Sequence, residues 1–242
     1  MPRARVGDPP NENQVIHIES PGVDSWASVG CEDGAVSAPK LWRGQTLQDR
    51  SGERRDQLLD RAFDLLGAGG AGAVTMRAVT REANLSPRYF YESFDSRETL
   101  LAAVYDRTEG ALRERLSAIA PGADPHAAIR TGLETCADFF EEDPRRARVL
   151  LREPLADDSL RRHITERTPA AVRALAPMLG SSADDLFASS DDTLATLGTA
   201  LAGALTAVYL EWVDGHLAIG RDQLVDNAVA IVVSLLSPAL GQ

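Results

Sequence analysis

Guanidinium and phenol groups crowd the stretch from Val74 to Phe94, VTMRAVTREANLSPRYFYESF. An arginine can pair two ways with the acceptor edge of guanine in a major groove, which makes Arg77 and Arg88 the best candidates for reading bases. Such groups need rigid carriers, and the spacing supplies two short helices. Thr75 is placed to cap the first, whose residues Met76, Val79 and Ala83 share one face. Asn84 tolerates the left-handed backbone that stops a helix, and Leu85 adds an apolar plug. Ser86 is a second N-cap, followed by Pro87 at a position where a missing N–H costs nothing. In the second helix Phe90 and Phe94 fall on one side, four apart, leaving Arg88, Tyr89, Tyr91, Glu92 and Ser93 wholly or partly free to face outward. Two short helices, a three-residue turn and an exposed Arg-Tyr surface are the parts of a DNA-reading helix-turn-helix.

These residues resemble the DNA-binding segment of the tetracycline-repressor (TetR) family of bacterial transcriptional regulators. The likeness runs through Thr75-x-Arg77, Ala83, Leu85, Ser86, Tyr91, Phe94 and the Ser-Arg-Glu-x-Leu of Ser96 to Leu100. Asn84 stands where the family usually has Gly, Thr80 where it usually has Ala, and Arg97 where it usually has Lys. Asn also reaches positive φ and Arg also binds phosphate. The resemblance implies base or backbone reading by Arg77, Pro87, Arg88, Tyr89, Tyr91, Glu92 and Ser93, with phosphate contact at Thr75, Tyr91 and Arg97. Glu92 can equally be a solvent residue, and Tyr89 and Tyr91 can instead complete a small core. The likeness is specific over about residues 51–105 and architectural beyond.

The 242 residues, 44% apolar, are enough for one large or two modest domains. A net charge of −11 is awkward for a DNA binder, but it is unevenly spread. Residues 51–107 hold eight Arg against nine carboxylates, whereas residues 108–242 hold twelve against twenty. Affinity for DNA must then come from a few well-placed arginines, with a modest salt dependence. Cys31 and Cys136 have no partner at disulfide-framework or zinc spacing, which suits a reducing cytoplasm. The N-terminal MPRARVGDPP lacks the apolar run of a secretory signal.

In order, residues 1–46 are rich in Pro, Gly and Ser and read as a disordered arm, either a solvated tail or a basic arm beside the main motif. A first helix from about Gln48 carries Leu58, Leu59, Ala62, Phe63 and Leu66, and is expected to stop at the GAGGAG of residues 67–72. Leu59, Phe63, Val79, Leu85, Phe90 and Phe94 should form one small core. A long helix follows, with Asp95 and Glu98 as its capping box and Leu101, Tyr105, Thr108, Leu112, Leu116 and Ile119 on one face. Helices are expected over about 125–142, from Pro144, and from about Asp157 to Gly180 with a kink at Pro169. The expected organisation is therefore an all-α fold: an arm over 1–46, a reader over 47–107 with its helix-turn-helix at about 75–94, and a helical ligand-binding and dimerisation domain over 108–242.

Thr193 to Leu210 runs 18 residues without a charge, the lower limit for a membrane span. Its content of Thr and Gly, and the repeat of Leu194, Leu197, Leu201, Leu205, Val208 and Trp212, favour a helix buried on two sides. A second such segment repeats Leu224, Ala228, Ile231 and Leu235. One chain covers one side only, so Leu197, Leu201, Leu205, Val208, Leu224, Ala228, Ile231 and Leu235 are the expected homodimer interface, in a four-helix bundle. The TetR resemblance implies the same. A pocket for a small apolar or aromatic effector would lie among Leu112, Leu133, Cys136, Phe140, Met178, Tyr209 and Trp212, residues that serve equally well as plain core. No catalytic constellation, metal set or cofactor loop is present. The expected function is a cytoplasmic repressor that leaves a palindromic double-stranded operator when the effector binds. The alternative is a helix-turn-helix acting through protein contacts.

Overall fold

The computed structural model describes residues 47–119, 124–165 and 191–240, and every regular element among them is helical. The fold is all-α, a helix-turn-helix segment followed by a larger helical part, as the sequence predicts. Helix α1 (Leu47–Gly69) leads into a 3₁₀ turn (Ala71–Ala73), α2 (Met76–Glu82), α3 (Pro87–Ser93) and the long α4 (Arg97–Ser117). Then come α5 (Pro125–Glu142), α6 (Pro144–Ala147), a π-helical turn (Arg148–Arg152), α7 (Glu153–Ala156) and α8 (Asp158–Thr165). Helices α9 (Asp191–Val213) and α10 (Arg221–Leu240) close the described chain. The arm over 1–46, the continuation past Pro169 towards Gly180, and Met178 lie outside the described residues.

Two boundaries differ from expectation, each for a tertiary reason. Helix α1 does not stop at Leu66 but runs on to Gly69. Gly67 lies against α6, where a Cβ would come 2.6 Å from the Cβ of Arg145, so glycine here serves close packing and not helix breaking. The cap of α4 is Ser96 with Thr99, not Asp95 with Glu98: the Ser96 hydroxyl accepts from the Thr99 N–H at 3.2 Å and the Thr99 hydroxyl accepts from the Ser96 N–H at 2.9 Å. The shorter Thr side chain reaches back as well as a Gln or Glu would.

Residues from α1 to α4 form one core. Leu58, Ala62, Leu66, Val74, Val79, Ala83, Phe90, Phe94, Leu100, Leu101 and Val104 are all buried, with Leu59; Phe63 and Leu85 pack against them partly exposed. Phe90 sits edge-on to Tyr91 and 6.0 Å from Phe94. In the second part α10 lies along α5 and α9, and the face Leu224, Val225, Ala228, Val229, Val232, Leu236 is buried. Helix α8 packs on α4, and the π-turn touches α1, α4 and α9.

Surface charge also ties elements together. The Arg115 guanidinium donates to both oxygens of Glu142, at 2.8 and 2.7 Å, joining α4 to α5, and Arg146 adds a third bond at 2.9 Å. The bonds from Arg115, then those from Arg146, hold the Glu142 carboxyl down at about 2. Since that value lies below the ordinary 4.5, the contribution to stability is present above pH 4.5 and lost as pH falls towards 2. The stability gap between wild type and Glu142→Gln, read from urea midpoints, should shrink over that window and vanish at its acid end. Truncation of the core is a larger effect: Phe90→Ala should cost about 3–5 kcal/mol in a denaturant melt, while Tyr91→Ala should stay within about 0.5 kcal/mol.

Candidate nucleic-acid interface

The reader is built from its turn outward. At the end of α2 the Leu85 N–H bonds to the Thr80 carbonyl at 2.9 Å and the Asn84 N–H to the Arg81 carbonyl at 3.1 Å, a Schellman closure. It requires a left-handed residue, and Asn84 takes φ +51°. From α1, Gln57 donates to the Ala83 carbonyl at 2.9 Å and covers the same helix end. Thr75 caps α2 as expected, accepting from the Ala78 N–H at 3.1 Å. Ser86 occupies the cap of α3 without using its hydroxyl, because the Tyr89 N–H bonds to the Ser86 backbone carbonyl at 3.0 Å.

This frame leaves one face of α3 open. The Arg88 side chain is 84% exposed, and its Nε donates to Glu92 one turn on at 2.7 Å. Such an exposed i,i+4 pair is worth about 0.3–0.5 kcal/mol, less than the ~1–3 kcal/mol of a bidentate base contact, so Arg88 can exchange it. Pro87 and Arg77 are exposed, as is Thr75, and Tyr91 is 61% exposed. Tyr89 is half-buried beneath the Arg54 guanidinium, 4.5 Å from the ring centre. Ser93 is half-buried, and its carbonyl accepts from Arg55, which also lies 4.3 Å over the Phe94 ring. Arg54, Arg55 and Gln57 thus brace the reader from α1. The sequence reading missed all three, since only the folded crossing of α1 and α3 brings them there.

Arg97, where phosphate contact is expected, is bonded within the chain. Its Nε donates to the Val74 carbonyl at 2.8 Å and its Nη2 to the Ala71 carbonyl at 2.6 Å, with Glu98 and Asp157 each 3.6 Å away. The side chain is 31% exposed. The carbonyls of the loop before α2 need donors, and a fork-shaped cation meets two at once.

The residues expected at a pocket are packed together. Leu133, Phe140 and Tyr209 are buried; the Tyr209 hydroxyl donates to the Leu133 carbonyl at 2.7 Å and its ring meets Phe140 edge-on at 5.5 Å. Burial raises the Tyr209 phenol above its ordinary range and pushes the Cys136 thiol up to about 12. Cys136, Leu112 and Trp212 pack against the same core. A cleft of about 440 Å³ lies elsewhere, lined by Arg115, Thr135, Asp138, Glu141 and Glu142.

The expected interface splits in two. Leu224 and Ala228 are wholly buried within the chain, so they are core and not interface; the apolar stripe that carries them faces α5. Leu197, Leu201, Leu205 and Val208 are partly buried against the core, and Ile231 and Leu235 remain partly exposed. Ala195–Val213 is long and apolar enough to cross a membrane by length and composition, and only 11% of it is buried within one chain.

An exposed reader helix on a braced helix-turn-helix, followed by a larger helical part, defines the architecture of a DNA-binding transcriptional regulator. Residues 58–104 match the family profile described as bacterial regulatory proteins, tetR family. Solved structures agree in fold. A TetR-like transcriptional regulator from Rhodococcus sp. RHA1 is 24% identical, covers 78% of this chain and 97% of its own, and superposes with a TM-score of 0.56. A tetR-family regulator from Streptomyces coelicolor is 20% identical over 78% of this chain and 82% of its own, with a TM-score of 0.59. The regulator FadR from Bacillus subtilis, solved in complex with stearoyl-CoA, is 14% identical over 74% of this chain and 97% of its own, with a TM-score of 0.58.

The left-handed turn yields a direct test. Asn84→Ala should lower stability by about 1–2 kcal/mol, the cost of a Cβ without local hydrogen bonding at positive φ, while Asn84→Gly should match wild type in the same thermal melt.

Proposed function

We propose that this protein is a cytoplasmic, homodimeric repressor that holds a palindromic operator and lets it go when a small apolar molecule binds within residues 108–242. The observation that carries the reading is the division of α3: Phe90 and Phe94 are 1% and 4% exposed, while Arg88 and Tyr91 stand in solvent beside Pro87. Packing alone gives no reason for an exposed Arg-Tyr surface on so short a helix. Arg77, Pro87, Arg88 and Tyr91 are its reading face, and Thr75, Tyr89 and Ser93 flank it. With eight Arg against nine carboxylates over residues 51–107, binding rests on these few groups and not on a broad positive field.

Dimerisation is supported by α9, whose apolar length is mostly uncovered in one chain. A second copy laid along the exposed Thr196, Ala200, Gly203 and Ala207 and the partly exposed edges of Leu197, Leu201, Leu205, Val208, Ile231 and Leu235 would cover it and set two readers about 34–36 Å apart, one turn of DNA. An apolar effector would have to part the packed Leu133, Phe140, Tyr209 cluster to enter; the FadR neighbour was solved with a long-chain acyl thioester. A coupling of about 1–3 kcal/mol between effector and DNA sites releases the operator five-fold or more. The chain is proposed to work without catalysis or cofactor.

The test uses duplexes selected from a randomised pool by the wild-type chain, with light scattering to read its mass. A dimer that enriches a two-fold symmetric sequence is expected. A strict monomer, or no enrichment, would instead favour the helix-turn-helix acting through protein contacts. Arg88→Ala should cost about 1–3 kcal/mol on the selected duplex and little on a scrambled one. Unchanged discrimination would remove Arg88 from the reading face.

A further inference from the structure

Glu153 is a carboxylate with 3% residue exposure that the reading of DNA described so far does not use. It opens α7 directly after the π-turn, yet its partner lies 82 residues earlier: Oε2 accepts from the Ala71 backbone N–H at 2.6 Å. Oε1 accepts from Arg148 at 3.0 Å, and Arg148 also reaches the Ala68 carbonyl at 3.4 Å. On the other side Arg97 holds the Ala71 and Val74 carbonyls. The peptide groups of Ala71 are therefore gripped from both sides, the N–H by the larger helical part and the C=O by the first turn of α4. Gly70 fits this grip and admits no side chain: it stands at φ +74°, and a Cβ would lie 2.9 Å from Glu153 Oε1 and 3.0 Å from Arg148 Nη2. One residue past the gripped loop, Thr75 caps α2.

The π-turn that precedes Glu153 packs against α9 as well as α1 and α4. A π-turn holds one residue more than an α-turn, so tightening it to α would move the following residue by about 1.5 Å and 100° around the axis. Glu153 is that residue, and its carboxylate would leave Ala71.

We infer that Glu153 is a positioning residue for DNA reading: its hold on Ala71 sets the angle of α2 and α3. This rests on the regulator reading above. Breaking the hold leaves a buried N–H and Arg148 without their acceptor, a cost the alternative arrangement must offset.

The experiment uses the full chain, with a duplex selected from a randomised pool, a scrambled duplex of equal length, and hydrogen exchange read without DNA. Glu153→Ala should weaken binding to the selected duplex about 10- to 100-fold. Its binding to the scrambled duplex and its salt slope should not change, because no phosphate contact is lost. Amides of residues 71–79 should exchange faster while those of residues 224–236 keep their protection. Unchanged exchange at 71–79, or loss of protection at 224–236 alongside it, overturns the inference, the latter marking a plainly structural role. Should Glu153→Ala not fold, Glu153→Gln decides: its single amide oxygen cannot serve both the Ala71 N–H and the Arg148 guanidinium, so exchange at 71–79 should rise and binding to the selected duplex alone should weaken, and wild-type values for both overturn the inference. A wild-type chain that retains no duplex overturns the regulator reading itself, an outcome kept distinct because the exchange comparison needs no DNA.

Discussion

A seven-residue helix cannot hold itself together in water, since nucleation fixes several residues before any hydrogen bond is gained. Both helices of the reader, α2 and α3, are that short. Their existence depends on a shared apolar contact, in which Phe90, Phe94, Val79 and Ala83 are buried with Leu58, Ala62 and Leu66 of α1 and Leu100, Leu101 and Val104 of α4. That constraint also explains the surface. Once Phe90 and Phe94 commit one side of α3 to the interior, the opposite side is left to solvent, and Arg88 and Tyr91 stand there. Anchor and exposed face are two consequences of one four-residue spacing.

The anchor fixes that α3 is a helix, but not its angle. Angle comes from polar contacts at the edges of the small core. Gln57 closes the end of α2, Arg55 lies over Phe94 and bonds the Ser93 carbonyl, and Arg54 covers Tyr89. Each spends a charged or amide group of α1 on the reader. At the opposite edge Arg97 holds the loop before α2 by its carbonyls. A region with eight arginines therefore offers DNA fewer than its composition suggests, because several are occupied in holding the frame.

The local part of this was legible in the sequence. Thr75, Asn84 and Pro87 act through their own backbones, and each sits where its chemistry predicts: cap, left-handed stop and first helical residue. Phe90 and Phe94 were readable because helical period alone puts them on one side. What failed was non-local. Arg97 looks like a phosphate ligand at a helix start until the loop carbonyls 23 and 26 residues away are in place. Gly67 looks like a helix breaker until α6 comes to rest on it. Leu224 and Ala228 form an apolar stripe whatever covers them, and periodicity cannot distinguish a helix of the same chain from one of a second copy.

That ambiguity sharpens what a second copy must do. The uncovered side of α9 presents Thr196, Ala200, Gly203 and Ala207, small residues at steps of three and four, with no large apolar anchor among them. A contact there gains from backbones approaching closely over a long seam, at about 25 cal/mol for each Å² of apolar surface removed from water. Against it stands repulsion, since residues 108–242 carry twenty carboxylates and twelve arginines. Repulsion between exposed charges is screened beyond about 8 Å at physiological salt, whereas apolar contact acts only at touching distance. Apolar contact prevails if the seam itself is free of charge, and from Thr193 to Leu210 it is. Acid therefore opposes association least along this helix, and adding salt should favour pairing of the chains while it weakens their hold on phosphate.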